Sequence, residues 1–85
     1  MDIIRLGDTT DNGGVVVTAS TTMEYEGRPV ARKGDLVDCS LHSEVHPNEI
    51  IEGDEEITDN GIPIARHHFR VMCGCLLIST VNDAT

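Results

Sequence analysis

The feature that most constrains this chain is an internal repeat. Gly27-Arg28-Pro29-Val30-Ala31-Arg32 recurs as Gly61-Ile62-Pro63-Ile64-Ala65-Arg66, displaced by 34 positions. The same offset pairs Val16-Val17 with Ile50-Ile51 and Cys39 with Cys73. A period of 34 suits helical repeats, but two copies are too few for a solenoid, and Gly-x-Pro inside each unit would break a helix. The unit reads instead as strand, Gly-centred turn, strand, loop. A shorter echo links Gly7-Asp8 with Gly34-Asp35, and four residues past each Asp stand Asn12 and Cys39, to which the 34-residue offset adds Cys73. The third copy is degenerate, with His68-Phe69 in place of Gly-Asp. Seven extra residues, about 43 to 49, fall in the second loop and include His46 and Pro47. Three similar loops alternating with strands imply a pseudo-threefold arrangement in which the loops converge at one end.

Composition agrees with an all-β reading. Val, Ile and Thr contribute eight residues each against five Leu, with one Tyr, one Phe and no Trp. β-Branched side chains suit a pleated surface, and without aromatics the core lacks its largest contributors to burial. At 85 residues the chain is one domain, residues 1–85, whose core needs a staple: a metal, a disulfide or a partner. Val15-Val16-Val17 and Leu76-Leu77-Ile78 read as strands buried on both faces. Tyr25-Glu26-Gly27-Arg28 and Asp59-Asn60-Gly61-Ile62 read as turns, the latter a strong hairpin cue. Val81 to Thr85 read as a frayed tail. The net charge of −9 argues against a nucleic-acid partner, which needs a basic face. No apolar run is long enough to span a bilayer. The N-terminus lacks the basic and apolar regions of a signal peptide, so synthesis and residence in the cytoplasm are expected. An odd number of cysteines, three, in a reducing compartment points to metal ligation or plain thiols more than to disulfides.

All three cysteines and all four histidines lie between positions 39 and 75. Cys39-x-x-His42 sets a thiol and an imidazole at a spacing that one turn brings to a single ion, and His67, His68, Cys73 and Cys75 supply a second half. Zinc takes four such ligands tetrahedrally, and a closed four-ligand site is its structural form. Other readings stand beside this one. Cys39 and Cys73, as repeat equivalents, could form a disulfide, and His46 could be an ordinary surface or core residue. In an extended chain His67 and His68 point to opposite faces, so at most one is a ligand. Cys75 shares a face with Cys73 but reads more as a buried thiol at the start of a strand, which predicts Cys73→Ser to be more damaging than Cys75→Ser. Gly13-Gly14 lacks a phosphate-binding fingerprint, Asp54-Glu55-Glu56 reads as a solvated face, and no His-Glu-x-x-His or G-x-S-x-G motif is present.

Taken together, Gly7-Asp8-Thr9-Thr10, the Gly-x-Pro-Val-Ala-Arg unit ending in Gly34-Asp35, Ile50-Ile51-Glu52-Gly53-Asp54 and Cys73-Gly74-Cys75-Leu76-Leu77-Ile78-Ser79 resemble the PAAR-repeat family over essentially the whole chain. The resemblance implies a short β cone with pseudo-threefold symmetry, strands and loops converging on a metal-bound apex. It implies a non-enzymatic tip that caps and sharpens the trimeric VgrG-type spike of a type VI secretion system or a related contractile tail, one monomer per trimer. It also implies one structural Zn2+, possible secreted effectors as further partners, and transient contact with the target-cell membrane. Such a protein is cytoplasmic when assembled and leaves with the apparatus. Residue by residue, Cys39, His42, His67 and Cys73 match the metal positions, with His46, His68 and Cys75 in reserve. Two departures stand out: Asn12 where the family often has a first-loop histidine, and His68-Phe69 in the third loop. A small zinc hydrolase and an acidic decoy protein are the rival functions.

Overall fold

A computed structural model describes residues 2–81; residues 82–85 of the expected tail lie outside the described residues. The two repeat copies begin as hairpins. At Glu26-Gly27 φ is 51° and 86°, and at Asn60-Gly61 it is 52° and 85°. Two successive positive φ values define the turn whose twist matches antiparallel strands, and glycine takes the second without steric cost. These turns join β3 (Glu24–Tyr25) to β4 (Arg28–Pro29) and β6 (Asp54–Asp59) to β7 (Ile62–Ile64). Glu24 pairs with Pro29 and Thr58 with Pro63, each 34 residues on from its counterpart. The remaining strands, β1 (Thr9–Thr10), β2 (Val15–Val16), β5 (Val37–Asp38) and β8 (Leu77–Ile78), form one antiparallel sheet in the order β5-β2-β1-β8. One short 3₁₀ turn, Ser40–His42, is the only helical element among the described residues. The fold is all-β.

The pseudo-threefold relation is written in the backbone. Ile4 N–H donates to Ala65 O at 3.0 Å, Ala65 N–H to Ala31 O at 2.9 Å, and Ala31 N–H to Ile4 O at 2.8 Å, a closed ring of three bonds. Around it, Arg5 bridges Val30, Arg32 bridges Ile64, and Arg66 bridges Ile3. A third set repeats the pattern: Gly7 N–H donates to Val16 O, Gly34 N–H to Ile50 O and His68 N–H to Leu77 O. The core therefore consists of triplets. Ile3, Val30 and Ile64 form one cluster; Ile4, Ala31 and Ala65 with Val16, Ile50, Leu77, Val37 and Val71 form the other. Each fully buried Ile, Val or Leu is worth about 1.5–3 kcal/mol relative to exposure. The chain is a β cone built by one polypeptide winding three times round an axis.

Three local expectations fail for physical reasons. The valine run is not buried on both faces: Val16 is 1% exposed while Val15 and Val17 are 38% and 48% exposed, because only one face of β2 meets the axis. Val81 is not frayed, since it packs against the Ile3-Val30-Ile64 cluster. His67 and His68 do not point apart; their rings stack with centroids 3.8 Å apart. His68 stands where Gly7 and Gly34 stand in the other copies and shares their left-handed backbone, φ 67° against 90° and 94°, which turns its side chain back over its neighbour. Its neighbour Phe69, which packs against the core, takes the place of buried Asp8 and Asp35. In the first two copies those carboxylates accept the Arg5 and Arg32 N–H groups at 2.8 Å.

The left-handed position makes a clean test. A Cβ at Gly34 would meet nothing within 4 Å, so Gly34→Ala isolates the backbone cost. It is expected to lower stability by about 1–2 kcal/mol, read as a shift in the urea unfolding midpoint at unchanged slope.

Candidate metal centre

The three loops end in unlike residues at equivalent positions: Asn12, Cys39 and Cys73. Thr10 and Val71 each close a tight turn on the carbonyl four residues ahead, Gly14 and Cys75, whereas Val37 reaches Asn48. The extra residues of the second loop therefore lie between Cys39 and Asn48, slightly earlier than the sequence suggests, and His42 is among them. The 3₁₀ turn starts directly after Cys39, and His42 N–H donates to Cys39 O at 3.1 Å. This folds the imidazole back so that its Nδ1 lies 3.3 Å from Cys39 Sγ. In the third loop Gly74 takes φ 98°, a value that favours glycine. Its turn brings the Cys75 sulfur to 3.5 Å from His42 Nδ1.

The result is a group of four, Cys39, His42, Cys73 and Cys75, whose donor atoms all lie within 4.8 Å of one another. Cys39 and Cys75 are buried; His42 and Cys73 are half-buried. Neighbours hold it in place. Cys73 N–H donates to Asn48 Oδ1 at 3.0 Å, and Asn12 Nδ2 lies 3.3 Å from Cys75 Sγ. A Cβ on Gly14 would fall 2.9 Å from Thr10 Oγ1 and 3.2 Å from Cys39 Cβ, so close approach of the first loop requires glycine there. Burial pushes the Cys75 thiol up to about 11; the Asn12 amide opposes this and the Cys73 and Cys39 sulfurs add to it. Burial also raises the Cys73 thiol, but hydrogen bonds from the Cys75 backbone, Asn48 and the other two sulfurs outweigh it and leave that thiol below its ordinary 9.0. Three sulfurs and an imidazole are a donor set for a thiophilic or borderline metal ion.

Of the residues expected as ligands, the structure brings Cys39, His42 and Cys73 together. It does not bring His67. That residue corresponds to Leu6 and Lys33 in the other copies and lies six positions before Cys73, back along the wall of the cone. Its N–H donates to Asp2 O at 2.8 Å and its Nδ1 accepts from Ser79 N–H at 3.0 Å. Cys75, a reserve ligand expected as a buried thiol, is buried and stands in the group. The overlooked signal was Cys-Gly-Cys, in which the glycine permits a turn that puts both sulfurs at the same tip. His68 stacks on His67, and His46 lines a hollow on the flank with Val17, Leu36 and Pro47. All three cysteines are free thiols, so Cys39 and Cys73 are not joined.

Fold and site together define a small all-β cone with a Cys/His cluster at the meeting point of its loops. Among known family models, that of the PAAR motif matches residues 6–79, and the chain belongs to the PAAR-motif family. No match was found among curated proteins.

Two outcomes follow for metal uptake. Cys75→Ser is expected to abolish retention of a metal ion through gel filtration as fully as Cys73→Ser, while His67→Ala retains it; metal analysis of the three variants checks this. Uptake must also displace the Cys75 proton, which that thiol holds until about pH 11. Apparent affinity should therefore fall as pH is lowered, by about tenfold per unit for each proton displaced, measured by competition with a chromophoric chelator between pH 6 and 9.

Proposed function

We propose that this protein is a non-enzymatic spike tip: a cone that caps and sharpens a trimeric VgrG-type spike, its apex held by one structural zinc ion. The observation that carries the reading is the closed three-bond ring of Ile4, Ala31 and Ala65. A single chain that repeats its backbone three times round an axis can meet a threefold partner without a mismatch, and a monomer lacking such symmetry cannot. Membership of the PAAR-motif family, a spike-tip family, supports the same reading. The partner contacts the wide end, where the two hairpins and the Ile3-Val30-Ile64 layer lie, so that strand edges are covered on both sides.

Zinc suits the donor set. Bond lengths of about 2.3 Å to sulfur and about 2.0–2.1 Å to nitrogen set tetrahedral neighbours about 3.6 Å apart, close to the 3.3 and 3.5 Å between His42 Nδ1 and the sulfurs of Cys39 and Cys75. Cys39, His42, Cys73 and Cys75 would hold the ion, which supplies cross-linking of the second and third loops. Four protein donors leave no open position for water, and no carboxylate belongs to the group; both features favour a structural over a hydrolytic role. Assembly in the cytoplasm and delivery with the spike, with effectors as passengers, complete the reading.

Stoichiometry is the test. Light scattering of the purified complex is expected to give one chain per spike trimer, with a wide-end substitution such as Ile62→Asp (Ile62 is 36% exposed) weakening it. Three bound chains per trimer would contradict the proposal.

A further inference from the structure

Loop 1 contributes no member to the group of four, yet it is clasped to the third loop, which carries two of them. Asp11 and Leu76 exchange two hydrogen bonds: Asp11 N–H donates to Leu76 O, and Leu76 N–H donates to Asp11 Oδ1, both at 3.0 Å. This clasp joins the first loop to the third, one residue past Cys75. It sets Asn12 at the position equivalent to Cys39 and Cys73, with Nδ2 3.3 Å from Cys75 Sγ. The Asn12 backbone is held as well, its N–H donating to Thr10 Oγ1 at 3.3 Å. Cys75 is the sulfur against which the first loop sets a side-chain amide, as Asn48 serves Cys73.

From this geometry we infer that Asn12 is a positioning residue of the metal centre: the first repeat contributes an N–H···S hydrogen bond where the other two contribute sulfur ligands. The chemistry favours that exchange. Three thiolates around a divalent cation leave an excess negative charge, in a chain whose net charge is already −9. A fourth anionic or bulky donor at the first loop would crowd an already closed set. An amide N–H instead withdraws electron density from the Cys75 sulfur and fixes the direction of its lone pairs. Outer partners of this kind typically alter metal affinity by roughly 10–100-fold when removed. The inference rests on the metal reading above but concerns a residue that the reading does not need.

Cobalt(II) is the probe, since its sulfur-to-metal charge-transfer band reports the electron density on the ligating sulfurs. Asn12→Ala should lower Co2+ affinity roughly 10–100-fold and move that band to lower energy. Asn12→Asp, isosteric but unable to donate and negatively charged beside a thiolate, should lower affinity further. Asn12 is exposed, so both variants are expected to keep the wild-type circular dichroism. Variants that bind cobalt within twofold of wild type with an unmoved band overturn the role of Asn12 and leave the metal reading standing. A wild-type chain that binds neither Co2+ nor Zn2+ overturns both.

Discussion

Everything in this molecule depends on three backbone hydrogen bonds that close on one another. Ile4, Ala31 and Ala65 donate and accept in a circle, and all three are fully buried. Buried backbone groups must be paired, and a β cone of so few residues has no long ladder to pair them in. Closing the ring on the axis satisfies three donors and three acceptors at once. It also forces the next residues outward at equal angles, which is why Arg5, Arg32 and Arg66 take equivalent bridges and why Val16, Ile50 and Leu77 meet in one layer. Small side chains are needed close to the axis; two of the three ring members are alanine.

Symmetry ends in the third copy and at the Cys/His group. The first two copies bury a carboxylate, Asp8 or Asp35, against the backbone N–H of the arginine three residues earlier; the third has Phe69, and Arg66 turns to Asp2 and Asp54 at 2.7 and 3.0 Å. At the apex the equivalent residues are Asn12, Cys39 and Cys73, and the fourth donor comes from an insertion found in one loop alone. A tetrahedral ion has four ligands and three copies offer three positions, so a closed site on a pseudo-threefold axis needs some residue outside the repeat. Here that residue is His42 in the inserted turn, while Cys75, equivalent to Gly14 and Asn48, fills the place that Asn12 leaves.

That division explains what could be read from the chain. The repeat, the Glu26-Gly27 and Asn60-Gly61 turns, the all-β class and three of the four clustered residues were legible because each rests on local spacing or on a backbone demand that glycine betrays. The burial of β2 was not, because three consecutive valines look alike whichever face is inward. Cys75 and His67 were exchanged for a related reason. Equivalence marks Cys73, but whether the next sulfur or an upstream imidazole joins it depends on Gly74 adopting φ 98°, and glycine's tolerance permits that value without requiring it. The stacking of His67 on His68 likewise follows from a positive φ at a non-glycine residue, which is uncommon enough not to be expected from sequence.

One chain is organised here as a cooperative threefold ring. Amide hydrogen exchange tests it most directly. Ring hydrogen bonds at a fully buried axis open only with global unfolding, so the amides of Ile4, Ala31 and Ala65 should be among the slowest in the protein and share one opening free energy, equal to that from urea unfolding. Should one of the three exchange orders of magnitude faster than the others, the ring is not a unit, and the threefold symmetry does not govern the fold.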